Sequence, residues 1–165
     1  MPEPMSPEDE LVIAAQLGRT PRGVAGIAWR CPCGRPGVVM TSPRLPDGTP
    51  FPTLYYLTCP RAVSACSTLE ASGLMAEQSA RLRTDPDLAA RYRAAHTAYL
   101  TDRERLGQVP EIEGISAGGM PDRVKCLHVL AAHALAAGPG VNPLGDEVLE
   151  RLGQFWTSPC GPEVA

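Results

Sequence analysis

Lysine is nearly missing from this sequence. Lys125 is the single one, and the other cationic side chains, 14 of 15, are arginine. With much Ala, Pro and Gly, that bias looks like the coding habit of a GC-rich genome. Aromatic residues are scarce as well, at 5%. No stretch approaches the roughly 18 apolar residues that a membrane helix needs, so no membrane role is expected. There is no excess of positive charge either. Against 15 Lys and Arg stand 18 Asp and Glu, for a net charge of −3, and general nucleic-acid binding is not expected. The opening "MPEPMSPEDE" is acidic and holds no apolar run, so it does not read as a signal peptide. The expectation is a cytoplasmic protein. In a reducing compartment its six cysteines point to metal ligands, reactive thiols or buried small residues before disulfides.

What is present is an ordinary globular balance over 165 residues, 44% apolar and 20% charged. That length suits a single domain over 1–165 with an ordered core of about 6–157. Abundant Pro (18) and Gly (16) predict many loops.

A helix is expected from Ser6 as cap, with Pro7 at its first position, through "LVIAAQL" to Gly18. Three strand-like runs follow, 24–29, 38–41 and 53–58. Turn-rich links join them, so an antiparallel meander is the simplest arrangement. The remainder reads as helices: "PRAVSACSTLEASG", "GLMAEQSARLRT", the long "DPDLAARYRAAHTAYLTDRERLG", "DRVKCLHVLAAHALAAG" with Asp122 as cap, and a last helix over 147–156. The fold class is α+β, a small three-stranded antiparallel sheet packed against about five to six helices.

Three long segments, "RCPCGRPGVVMTSPRLPDGTPFPTLYYLTCPRA", "AHTAYL" and "GISAGGMPDRVKCLHVLAAHALAAGPGVNPLGD", occur in that order. On them the chain resembles the bacterial family called domain of unknown function 501, over about Leu11 to Trp156. The resemblance implies a cytosolic bacterial protein of about this length. It also implies a gene near those for a septum-formation initiator and an exopolyphosphatase-like protein. It carries no catalytic residue over.

The residues themselves suggest a site. In a meander the first and third strands run the same way, so Cys31 and Cys59, each just past its strand, fall at one end of the sheet, with Cys33 beside Cys31. Cys126, in the first turns of a later helix, would complete four thiolates for zinc or an iron–sulfur cluster, with His128 and His133 as further candidate ligands. Four separate buried or reactive thiols are the other reading. Cys66 sits at helical spacing from Val63 and Leu69 and reads as core. Cys160 lies in the tail and is assigned nothing. His133, on an apolar stripe, reads as a hydrogen-bonded core histidine. Tyr92, His96 and Tyr99 share one helix face as a semi-polar packing seam.

"GISAGGMPDRVK" is a glycine-containing loop that enters a helix and carries Arg123 and Lys125. Free N–H groups and two cations there suit a phosphate or carboxylate. It is not a Walker loop. Arg30 and Arg61 adjoin Cys31 and Cys59 and would stabilise thiolates or hold an anion. The expected function is therefore a small enzyme or ligand-binding protein for a phosphate-bearing anion. Cys59 or Cys126 would be its thiolate, His128 its acid or base, and Lys125, Arg123, Arg30 and Arg61 its anion holders. The alternative is a non-catalytic regulatory or assembly protein, tied to cell division or phosphate metabolism, whose cysteines are structural and whose arginines meet a protein partner.

Overall fold

The computed structural model describes residues 2–153. Helix α1 spans Pro7–Leu17. Ser6 caps it, in a reciprocal box with Asp9, and Gly18 ends it in the left-handed region at φ 72°. Strands β1 (Val24–Arg30), β2 (Pro36–Thr41) and β3 (Tyr55–Leu57) form one antiparallel sheet in the order β1-β2-β3. The meander read from the turn-rich links is the observed topology. The last strand is shorter than the expected 53–58, and at its start Leu54 and Tyr55 give their N–H groups to the phenolic oxygen of Tyr99.

Helices α2 (Pro60–Ala71), α3 (Leu74–Thr84) and α4 (Pro86–Glu104) follow. A short 3-10 turn, Pro110–Ile112, comes before α5 (Leu127–Ala137) and α6 (Pro143–Leu152). The protein is thus α+β, with six α-helices around a three-stranded sheet among the described residues. No helix among them is long and apolar enough to cross a membrane.

The centre of the fold is α5. Its sequence, LHVLAAHALAA, is apolar nearly all round, and such a helix must be covered on several sides. It packs on β3, α2 and α6. Leu127, Leu130, Ala131, Ala132 and Ala134 are buried there. Helix α6 comes very close because residue 145 is glycine: a Cβ there would collide with the Leu130 carbonyl oxygen. Asn142 caps α6 by accepting the Gly145 N–H at 2.9 Å, and its amide nitrogen donates to Nδ1 of the buried His133 at 3.1 Å. His133 stacks on Tyr55 and meets Tyr99 edge-on. It is a core histidine, as its apolar stripe suggested. Burial lowers its pKa to about 4, so the ring is neutral at pH 7.

The seam on α4 also forms. Tyr92 donates to the Arg123 carbonyl at 2.9 Å, and Nδ1 of His96 lies 2.7 Å from Ser116 Oγ. Cys66 is fully buried, and burial first, then nearby negative charge, pushes its thiol up to about 12.

Two helix boundaries depart from expectation. The fifth helix starts at Leu127, not after Asp122. Tertiary partners take the backbone ahead of it: Val124 N–H goes to Ser79 Oγ, and Lys125 N–H to the Gly118 carbonyl. The sixth helix starts earlier, at Pro143, since Asn142 and Pro143 make a cap and first turn out of what reads as a loop. The tail of the expected 147–156 helix, and Cys160, lie outside the described residues.

Candidate functional site

Helix α2 runs past the N-terminus of α5, and this crossing builds a site that neither segment contains alone. Glu70 reaches across from the last turn of α2. One carboxylate oxygen accepts the Leu127 N–H at 2.9 Å, which satisfies an otherwise orphan donor at the start of α5. The other lies 3.1 Å from Nδ1 of His128. Sγ of Cys126, the N-cap residue of α5, lies 3.9 Å from the same Nδ1. Candidate ligand atoms of Glu70, Cys126 and His128 all fall within 4.8 Å of one another, and each residue is half-buried.

The far side of the imidazole is also occupied. Nε2 of His128 lies 3.2 Å from the carbonyl oxygen of Val63 and 3.3 Å from Ser67 Oγ, both on α2. A carbonyl only accepts, so Nε2 carries a proton. Hydrogen bonding to Cys126, then the nearby negative charge of Glu70 and Cys126, push the ring up to about 9 against the opposing effect of burial. With no metal at Nδ1, the ring is therefore an imidazolium at pH 7, and its second proton sits where Glu70 and Cys126 converge.

Cys126 and His128 line a cleft of about 630 Å³. Tyr55 and Leu57 come from β3, Val63 from α2 and Gln16 from α1. No Lys, Arg, Asp or Glu belongs to its lining.

The four-thiol site is not assembled. Among the described residues, Glu70, Cys126 and His128 make up the one group of three or more candidate ligands so close together. Cys31 and Cys59 both adjoin Gly37, at one end of the sheet: Cys59 donates its N–H to the Gly37 carbonyl, and the Cys31 nitrogen lies against Gly37. Both are packed into the apolar core, whereas Cys33 is exposed on the following turn. Cys126 belongs to the α2–α5 crossing instead.

The cation assignments are also redistributed. Arg30 is held by Glu3 at 2.6 Å and by Asp9 at 2.9 Å. It ties the N-terminal segment to the sheet and is committed to that role. Arg61 is exposed on the first turn of α2 and lines neither the cleft of His128 nor that of Lys125. Lys125 and Arg123 share a second cleft, and His128 is not in it. Lys125 precedes α5 whereas His128 lies in its first turn, so the two do not share a helix flank.

Glu70 has no local sequence signal. It follows Cys66 by one helical turn, yet only the crossing of α2 and α5 gives it a partner.

Residues 27–150 match the family described as "Protein of unknown function (DUF501)". Searches of curated proteins and of solved structures return no match. Since the matched region takes in most of the chain, from within β1 to the last turns of α6, the protein belongs to the DUF501 family.

Proposed function

We propose that this protein is a metal-dependent enzyme in which Cys126, His128 and Glu70 hold one divalent transition-metal ion at the mouth of the 630 Å³ cleft. The observation that carries the reading is the orientation of His128. Its Nε2–H is spent on the Val63 carbonyl, which directs Nδ1 at the point shared by Sγ and the carboxylate. Metal-bound histidines commonly fix their free ring nitrogen in this way. The second oxygen of Glu70, held by the Leu127 N–H, orients the carboxylate likewise.

The spacing fits. Zinc with sulfur at about 2.3 Å and nitrogen and oxygen at about 2.0–2.2 Å sets tetrahedral neighbours about 3.3–3.6 Å apart. The two separations from Nδ1, 3.1 and 3.9 Å, lie close on either side, and the thiol and carboxylate atoms fall within 4.8 Å of each other. One thiolate, one imidazole and one carboxylate are a mixed set that suits zinc. An iron–sulfur cluster takes four ligands, nearly all thiolates, and is disfavoured by this set. Three protein ligands leave a coordination position for water or substrate, and a metal there would supply Lewis-acid activation. Apart from Cys126 and His128 themselves, the cleft lining holds no titratable group but tyrosine, which supports a small, largely apolar substrate with a few hydrogen-bonding groups, in place of the anion expected at His128.

A plain thiol nucleophile fits less well. Such a relay sets the thiol on one ring nitrogen and the carboxylate on the other. Here both face Nδ1.

The test is metal content with selective alkylation. Zinc-loaded and dialysed protein should retain about one zinc per chain. Cys126→Ser and His128→Gln should lose it while still folding. Iodoacetamide should modify Cys33 with or without zinc, and Cys126 only without it. Equal labelling of Cys126 in both states, or full zinc retention by both variants, would sink the reading.

A further inference from the structure

Three cations that the proposed metal site does not use gather in a second cleft, of about 690 Å³, whose lining shares no residue with the first. Arg83 reaches it from α3, and Arg123 and Lys125 from the segment leading into α5. All three are exposed. None of their side chains forms an ion pair or hydrogen bond among the described residues. Most other arginines are committed: Arg30, Arg44, Arg81, Arg93, Arg105 and Arg151 have carboxylate partners, and Arg103 is held by backbone carbonyls. In a chain whose net charge is −3, three unpaired cations around one cleft are a local reversal of sign. Asp122 is the single carboxylate in the lining, and Arg93 approaches it to 3.6 Å.

The floor of this cleft is the glycine loop. Gly118 and Gly119 adopt φ of 68° and 92°, a region that favours glycine. A Cβ on Gly119 would press on the Arg123 carbonyl oxygen at 2.7 Å, so the loop lies flat against the segment that carries the cations. Its carbonyls are used, Gly118 by Lys125 N–H and Gly119 by Arg123 N–H. The N–H groups of Ala117, Gly118 and Gly119 make no hydrogen bond among the described residues. Successive free N–H groups at glycines with positive φ, beside clustered cations, are what an oxyanion needs.

We propose that this cleft binds a small phosphate-bearing anion through Arg83, Arg123, Lys125 and the amides of Ala117–Gly119. The site is separate from the metal centre and needs no metal. Its volume suits a pyrophosphate or a nucleotide-sized ligand. Anion binding also relieves the mutual repulsion of the three cations, so a ligand for this cleft stabilises the folded chain.

The experiment is calorimetric titration of the full chain, at fixed ionic strength, with inorganic pyrophosphate in one arm and adenosine monophosphate in the other. Binding at one site per chain is expected in at least one arm; the tighter arm tells a bare phosphate from one carried on a nucleoside. Lys125→Met and the double variant Arg83→Ala/Lys125→Ala should weaken it by tenfold or more, with unliganded melting temperatures no lower than the wild type's. Cys126→Ser should bind the anion as the wild type does, which separates this site from the metal reading. Absence of binding in both arms, equal affinity in wild type and double variant, or the same thermal shift from potassium chloride at matched ionic strength would overturn the proposal.

Discussion

Glu70 and His128 face each other at 3.1 Å across the α2–α5 crossing, and the same carboxylate starts α5 by accepting the Leu127 N–H. One side chain thus joins the fold to the site. The two roles separate by substitution. Glu70→Gln keeps an oxygen for the Leu127 N–H and should leave stability within about 0.5–1 kcal/mol of the wild type, while zinc affinity falls at least about tenfold. Glu70→Ala should lose the metal and a further ~1 kcal/mol, the usual cost of an unsatisfied helix start. Chemical denaturation alongside a zinc-competition assay measures both. Equal zinc affinity in all three proteins would remove Glu70 from the ligand set.

His133 makes stability depend on acid. Its folded pKa is lowered to about 4, by burial first, and Asp102 and Asp146 only partly offset this. Its unfolded value is near 6.5, so the unfolded chain binds the extra proton first as pH falls. The stabilisation is therefore complete above about pH 6.5 and is lost progressively down to about pH 4, on the order of 3 kcal/mol in all. Denaturant midpoints across that window, with NMR titration of the ring, check it. A ring that protonates near 6.5 in the folded protein would contradict the assignment.

Gly145→Ala should be costly although alanine is the better helix former. The added methyl meets the Leu130 carbonyl oxygen and the Ala134 methyl, so α6 must move off α5. A loss of about 2–3 kcal/mol is expected from such overpacking. A rise in melting temperature would show that the two helices can separate at no cost.

Arg30→Ala should affect stability and leave both sites alone. Asp9 is buried, and the Arg30 guanidinium holds its carboxyl well below the usual carboxylate range. Removing the arginine strands that carboxylate and frees Glu3. Because Arg30 is itself partly open to solvent, the loss should be modest, about 1–2 kcal/mol. Unchanged pyrophosphate and zinc binding in this variant would separate Arg30 from the anion holders. Weakened binding with intact stability would restore it to them.

The sequence by itself determined the elements whose signals are local. The Ser6-Pro7 start and Gly18 stop of α1 follow from capping chemistry. The three strands and their meander follow from apolar runs closed by Pro- and Gly-rich turns. The apolar surroundings of His133 and Cys66 were legible from helical spacing, as was the cationic character of the "GISAGGMPDRVK" loop. Only the tertiary structure decided which of these chemically capable residues meet. Cys126 turned from the sheet-end thiols to Glu70 and His128 because α2 crosses the N-terminus of α5. Lys125 parted from His128 because Ser79 and Gly118 claim the backbone that would have extended the helix to Asp122. Helix periodicity ranks faces within one segment; it holds no record of which segment will supply the competing hydrogen bond. Long-range partners such as Glu70 become visible only when burial of the apolar α5 forces its neighbours into place.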